Sequence, residues 1–600
     1  MTQRRTLLDL VLAVGFLAVA TAIAVAHRSP PSGYESSIYT GTPTLTWVAF
    51  GLALAVAVGV TIGTRGWYQA GAIALGGLAV TSIVSLPVIR NYHFQGMGDS
   101  LTHLGWVRDF VQGTMQPHEL FYPGLHAVAT TLHLGGGVSM ERALLIAVVL
   151  LFVPFVVFVP LIARDISGTG AAAGFAAIAS WMVLPINNVA THMGPHTNSN
   201  ALFVVPVALF ATVALVSRRS DLERLPFGIS PFTVCLFLAG IGLLLVHPQQ
   251  MINVVVFLGA LAGVQYLAKR RYDDHPMVHH PSLFAPAVML GVLFVVWAAA
   301  NARFRRAFSG LVYGLFSRDI GTGSTVGQRS GSLTELGGSL LELFAIMFLV
   351  AAVLGAIAAL FVLATWLGRT SLDPDGRSYV TYFALALVPL GGMFVVYFLG
   401  TPTMAFRQVG FIYVVLTILS GIALAHLFGW LTGPLTTPGA NALAAVFVAA
   451  CLVLTLVTLF TSPLIYQPTQ HVTEQQQFGY DTALEHRADE RLYAGFGYGI
   501  NRYGDAHYGT EAGSEINYDG GASGAVLVEE FEDGNYREAY HGADYYFTVS
   551  AYDKARELEV YDELHHSEEA LEGIEREPYA DRLVSSEEFT MYSVEGTPSW

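Results

Sequence analysis

Lysine is almost missing from this 600-residue chain: Lys269 and Lys554 are the two that occur, and arginine supplies nearly all the positive charge. Cysteine is as scarce. Cys235 and Cys451 both lie inside apolar runs, which excludes a disulfide framework or a thiolate metal site and leaves two small packed hydrophobes. Charge of either sign is thin, at 12% of residues against 53% apolar, the reverse of a soluble enzyme's balance. No internal repeat stands out, and the Gly-, Tyr- and Asp-rich stretch 493–524 has neither a P-loop nor metal-ligand spacing.

What the chain has is apolar length. Runs near the ~20 residues needed to cross a ~30 Å hydrocarbon core fall at about 7–26, 43–64, 67–89, 140–163, 169–188, 200–217, 230–247, 250–268, 283–300, 338–364, 379–399, 407–428 and 440–461. The pattern predicts an all-α polytopic membrane domain over 1–461 with about thirteen spans. Arg4 and Arg5 precede the first run and no Ala-x-Ala cleavage site follows it, so it is expected to stay as a span. From 463 onward the sequence is soluble in character and strongly acidic, with 29 Asp/Glu against 8 Lys/Arg, a net of −21, whereas the rest carries +6 of the total −15. Such an acidic, lysine-poor part suits high salt and implies a halophilic, haloarchaeal-type source. It also argues against a nucleic-acid partner.

The short loops predict orientation. With 120–135 not crossing, Arg4, Arg5, Arg65, Arg164, Arg218, Arg219, Arg224, Lys269, Arg270, Arg271, Arg369 and Arg377 share one side, which the positive-inside rule makes cytoplasmic. The N-terminus is then cytoplasmic, and the stretch 90–138, the long loop 301–337 and the tail 462–600 are extracytoplasmic. Segment 120–135 places His126, Thr130 and His133 on one helical face and is expected to lie at the outer interface, a tilted span being the alternative. In the tail, 525–529, 545–549 and 588–594 pattern as strands and 567–577 as a helix capped by Ser567, a small α/β or α+β domain.

Polar residues crowd into 94–133, in a chain that elsewhere avoids them, and polar groups beside a bilayer mark function. Asp99 opens a helical pattern as an expected N-cap, and His103 follows one turn later on the same face, a candidate acid–base or metal-binding pair. Asp109, beside Arg108, is the kind of charge a solvated or structural role explains. Pro123 suits a first helical turn, with Tyr122 and His126 on either side. The outer segment 187–200, with His192 and His196, is dense in hydrogen-bonding groups that fit hydroxyl recognition or an ordinary capped loop. His247 sits at another polar edge. Arg303, Arg306 and Arg318 in the loop 301–337, and Arg407 at the outer start of a span, are cations that need an anion such as a phosphate.

The step from Asp99 to His103, followed by Tyr122, Pro123, Gly124, Leu125 and His126 and an interfacial helix, resembles the GT-C class of membrane glycosyltransferases over residues 1–461. The resemblance implies a multi-pass enzyme of the cell membrane, a hexosyl- or pentosyltransferase. It would move a sugar from a polyprenyl-phosphate donor to a glycan, lipid or protein acceptor on the outer face. Asp99 would be the catalytic carboxylate, either deprotonating the acceptor or helping to hold a divalent ion (Mg2+ or Mn2+). His103 would support it, and Arg407 with the loop arginines would hold the donor phosphate. This chain departs from the class with three spans rather than one before the catalytic stretch and with a single Asp99 where many members have paired acids. It also lacks the Trp-Trp-Asp motif of oligosaccharyltransferases. A flippase of lipid-linked glycans would place its polar groups at mid-membrane; a non-catalytic envelope-binding protein would rely on the acidic tail.

Overall fold

A computed structural model describes residues 2–217, 225–302, 304–306, 309–310, 339–400, 402–488, 491–496, 499–514 and 525–597. The expected positions of Arg218, Arg219, Arg224, Arg303, Arg318 and most of 301–337 lie outside them. Among the described residues ten helices are long and apolar enough to cross a membrane, from Arg5–His27 to Thr437–Leu456. Leu52, Val153, Leu360, Val396 and Val453 stand exposed on them, as side chains facing lipid would.

Three of the expected spans are shorter. Gly170–Trp181, Pro231–Val246 and Phe284–Ala300 have 10–17 residues; the first, at 1.5 Å per residue, reaches about 18 Å. It stops where the chain turns at positive-φ Val183 and enters the polar segment. The run 67–89 likewise breaks: its helix ends at Val84, and Pro87 opens a separate turn, Leu86–Ile89. Cys451 is buried, but Cys235 is exposed on its apolar helix rather than packed.

The tail carries a four-stranded mixed sheet. Leu492–Ala494 runs parallel to Tyr545–Ser550, which pairs antiparallel with Phe589–Val594, and Ala580–Ser585 forms the far edge. Two expected strands are present and Ser567 caps Glu568–Gly573 by accepting from the Ala570 N–H. The strand expected at 525–529 is not there. Ala525 makes an isolated bridge to Gly495, and Val528–Glu532 turns helical with Glu529 and Glu530 in the first turn, where the helix dipole favours acids. Edge strand Ala580–Ser585 is mostly exposed, so its sequence lacks the alternation that would have announced it.

The tail is stitched into the membrane part. His471–Val472 pairs antiparallel with Phe94–Gln95. One continuous apolar core includes Phe94, Leu101 and Leu104 together with Tyr480, Tyr503 and Phe589, while Phe531, Phe547 and Tyr592 form a second core on the sheet. Beneath the join, the nearly fully buried Arg90 meets the Glu35 carboxylate through two bonds of 2.6 and 2.7 Å, and the Tyr92 hydroxyl donates to Glu35 at 2.5 Å.

Candidate active site

The helix Asp99–Gln112 positions the site. It is polar for a buried helix, yet Ser100 through Val107 are all buried, because protein covers both its sides. Gly124–Gly136 packs on one side and Ile500–Tyr508 of the tail on the other. Gly105 makes the second contact close: a Cβ there would collide with the Asp505 carbonyl oxygen. Arg108 donates through Nε to the Ala506 carbonyl at 2.7 Å, and Asp109 accepts from the Thr510 N–H at 2.8 Å and its hydroxyl at 2.6 Å. Asp109 is therefore structural, one of the two roles expected for it.

Asp99 does not cap the helix. Gly98 is the N-cap, at φ 57 and without a side-chain bond, so the Asp99 carboxylate is left to face a cavity. It lies 2.9 Å from Nη2 of Arg502. Nη1 of Arg502 donates to the Thr102 hydroxyl at 2.7 Å, and that hydroxyl donates to Asp505 at 2.6 Å.

The cavity has a volume of about 250 Å³. Asp99, Thr102, His103 and Trp106 line one wall from a single helix, and Tyr122, His196, Thr197, His247, Arg407 and Arg502 complete it. Four helices begin around it: Asp99–Gln112, Thr197–Ser217, Pro248–Arg271 after its N-cap His247, and Pro402–Leu431 with Arg407 in its second turn. A helix N-terminus carries a partial positive charge. Arg407 adds a full one; among the described residues it makes no ion pair, and its contact is the Met404 sulfur at 3.7 Å.

The histidines are neutral. His103 Nδ1 and His126 Nε2 share a hydrogen bond of 3.0 Å. Burial lowers both, His126 to about 3, with the Tyr122 backbone opposing; His103 is held down further by His126. Burial and then Arg407 lower His192 to about 4 and His247 to about 3; burial and then His192 lower His196. With these rings neutral, the cavity holds two guanidinium groups against one carboxylate, a charge balance suited to an anion. Tyr122 stacks on His247 at 5.4 Å and meets Trp106 edge-on at 5.8 Å, giving an aromatic wall.

The sequence-chosen residues thus separate. Asp99, His103, Tyr122, His196, His247 and Arg407 line the cavity; His126 backs His103, and His192 backs His196 with ring centres 5.7 Å apart. Arg306 is exposed and away from the lining, although Phe304 beside it packs on Phe121. Much of segment 187–200 bonds within the scaffold: Asn187 donates to the Phe406 carbonyl at 3.1 Å, Thr191 to Pro185 at 2.8 Å and Ser199 accepts from the His192 N–H at 2.9 Å. The loop reading holds there, and His196 and Thr197 are what it brings to the cavity. Thr197 belongs to the segment 187–200 read from the sequence, whereas Arg502 and Thr102 lie outside the expected set. The one local cue to Arg502 is that Ile500, Tyr503, Gly504 and Ala506 bury one face of its helix, which leaves Arg502 beside the interface.

Among the described residues no three His, Cys, Asp or Glu side chains gather as a metal site requires. Among the described residues the Asp99 carboxylate faces the Arg502 guanidinium rather than a second carboxylate, and no step below runs through a metal.

No protein-family model and no curated protein matches the sequence. Among solved structures, the Archaeoglobus fulgidus oligosaccharyltransferase in the apo form is similar at 12% identity and a TM-score of 0.48, over 86% of this chain and 74% of that one. ArnT from Cupriavidus metallidurans bound to undecaprenyl phosphate is similar at 14% identity and a TM-score of 0.46, over 92% of this chain and 98% of that one. Archaeal oligosaccharyltransferase AglB from Archaeoglobus fulgidus, with an inhibitory peptide and a dolichol-phosphate, is similar at 12% and 0.46, over 86% and 73%.

Proposed function

We propose that this chain is a multi-pass membrane glycosyltransferase of the GT-C type, with its N-terminus cytoplasmic and residues 462–600 outside. It takes a sugar from a polyprenyl-phosphate donor and passes it to a glycan, lipid or protein acceptor. The observation that carries the reading is the cavity itself: the Asp99 carboxylate and the Arg407 and Arg502 guanidiniums converge where four helices begin, beside helices long enough to span a bilayer.

The chemistry follows from that arrangement. The acceptor hydroxyl attacks the anomeric carbon, and its proton passes to the Asp99 carboxylate. The bond from the sugar to the phosphate oxygen breaks, and the electron pair leaves with the phosphate. The charge gathering there meets Arg407 and the helix N-termini, which are fixed before the reaction and need no reorganisation. Neutral His196 and His247 offer hydrogen bonds without adding charge, and Tyr122 and Trp106 present faces on which a sugar ring stacks. His103, locked by His126, keeps this wall in place.

Deletion of the gene, followed by glycoprotein and glycolipid profiling, tests the proposal. Loss of one glycan with accumulation of its polyprenyl-phosphate-linked precursor is expected; unchanged profiles refute it.

A further inference from the structure

Among the described residues Arg502 is the one lining residue of the cavity that comes from the tail, and its place is built rather than incidental. Tyr503, next to it, is buried, stacks on Tyr480 with ring centres 3.7 Å apart and accepts from Gln476 Nε2 at 2.8 Å. The helix that carries both is held against Asp99–Gln112 at Thr102, Gly105 and Arg108, and Thr510 just beyond it is held at Asp109. The guanidinium therefore stands at a fixed height beside Asp99, and its two ends serve two partners, the carboxylate and the Thr102 hydroxyl. Its planar fork also faces the same small space as Arg407. The Asp99 carboxylate offsets one of the two guanidinium charges lining this space of about 250 Å³, which leaves one positive charge unmatched and favours an anion there.

We propose that Arg502 is a positioning and anion-binding residue. It orients the Asp99 carboxylate, and together with Arg407 it grips the phosphate of a polyprenyl-phosphate ligand. The site is then complete only while residues of the tail are docked on the membrane part. This gives the tail a task that its acidity does not suggest: it delivers one arginine. The inference rests on reading the cavity as a lipid-phosphate site and adds to it a residue from outside the membrane part.

The test uses the full chain in detergent micelles, with farnesyl monophosphate as probe and farnesol as its uncharged control, titrated calorimetrically. The wild type is expected to prefer farnesyl monophosphate. Arg502→Gln should weaken it about tenfold, the loss of one charge-assisted hydrogen bond, while farnesol binding stays as it was. Arg502→Lys, which keeps the charge and loses the fork, should fall between. Unchanged affinity in Arg502→Gln at an unchanged melting temperature, with binding lost in Arg407→Gln, overturns the inference and leaves the phosphate site standing. No preference for farnesyl monophosphate in the wild type overturns both. Should Arg502→Gln fail to fold, Arg502→Lys decides: a several-fold loss confined to the phosphate supports the role, and wild-type affinity refutes it.

Discussion

His103 and His126 are hydrogen-bonded to each other 3.0 Å apart inside the protein, and burial keeps His126 down at about 3 and His103 well below its ordinary value of 6.5. Above the unfolded value both folded and unfolded chains hold the rings neutral, and stability does not vary with them. As pH falls below about 6.5 the unfolded rings take protons that the folded ones refuse. The folded state then loses about 1.4 kcal/mol per pH unit per histidine, down to the folded value. The melting temperature in detergent should therefore drop as pH is lowered from about 7 to about 5. In His126→Gln the drop should be shallower. An identical slope in the variant would remove this pair as a source of acid sensitivity.

Replacing Asp99 should stop transfer and spare the fold. Its side chain is more than half exposed and makes the ion pair with Arg502, a contact worth little to stability at such exposure. Asp99→Asn keeps the shape and removes the base, and a loss of 10²-fold or more in kcat is expected, with the melting temperature within a few degrees of wild type. Product formed at wild-type rates by the purified variant would mean that the acceptor proton goes elsewhere.

The contrast between Asp99 and Arg502 shows what local sequence carries. Asp99, His103, Tyr122 and His126 are legible because they are polar residues packed into forty positions of an otherwise apolar chain, where a carboxylate or imidazole needs a reason. Arg407 is legible for the same cause, as a cation at the head of an apolar run. The long apolar helices fall where hydropathy puts them, though Gly170–Trp181 is short because the chain turns soon after it at positive-φ Val183. Arg502 has no such contrast around it: in a soluble acidic stretch an arginine is ordinary, and its pairing with Asp99 depends on docking between segments four hundred residues apart. The same holds for strand Phe94–Gln95, whose partner His471–Val472 is equally remote. The asparagines of 187–200 mislead for the opposite reason. Their polarity is real, but much of it is used inside the scaffold.

The Glu35–Arg90 pair is predicted to matter more to folding than to chemistry. Arg90 is 1% exposed and also donates to the Ser29 carbonyl at 3.1 Å. Arg90→Met strands the Glu35 carboxylate and should destabilise the protein by about 3–5 kcal/mol, whereas the double change with Glu35→Leu should recover much of that loss. Heat unfolding of the single and double variants measures it. A double variant no more stable than Arg90→Met would show that the two residues do not act as a pair.

Asp109 offers a way to loosen the tail without entering the cavity. Its carboxylate is 1% exposed and takes both the N–H and the hydroxyl of Thr510, while Thr114 donates at 3.1 Å. Asp109→Asn turns one oxygen acceptor into a donor facing donors, and the expected penalty is about 2–4 kcal/mol. Because Ile500–Tyr508 runs directly into Thr510, the loss falls on the docking of the Arg502 helix. Limited proteolysis should then cleave the tail of the variant faster than that of the wild type, and transfer should fall in step, since Arg502 no longer stands beside Asp99. Faster cleavage with transfer at the wild-type rate would separate docking of the tail from catalysis.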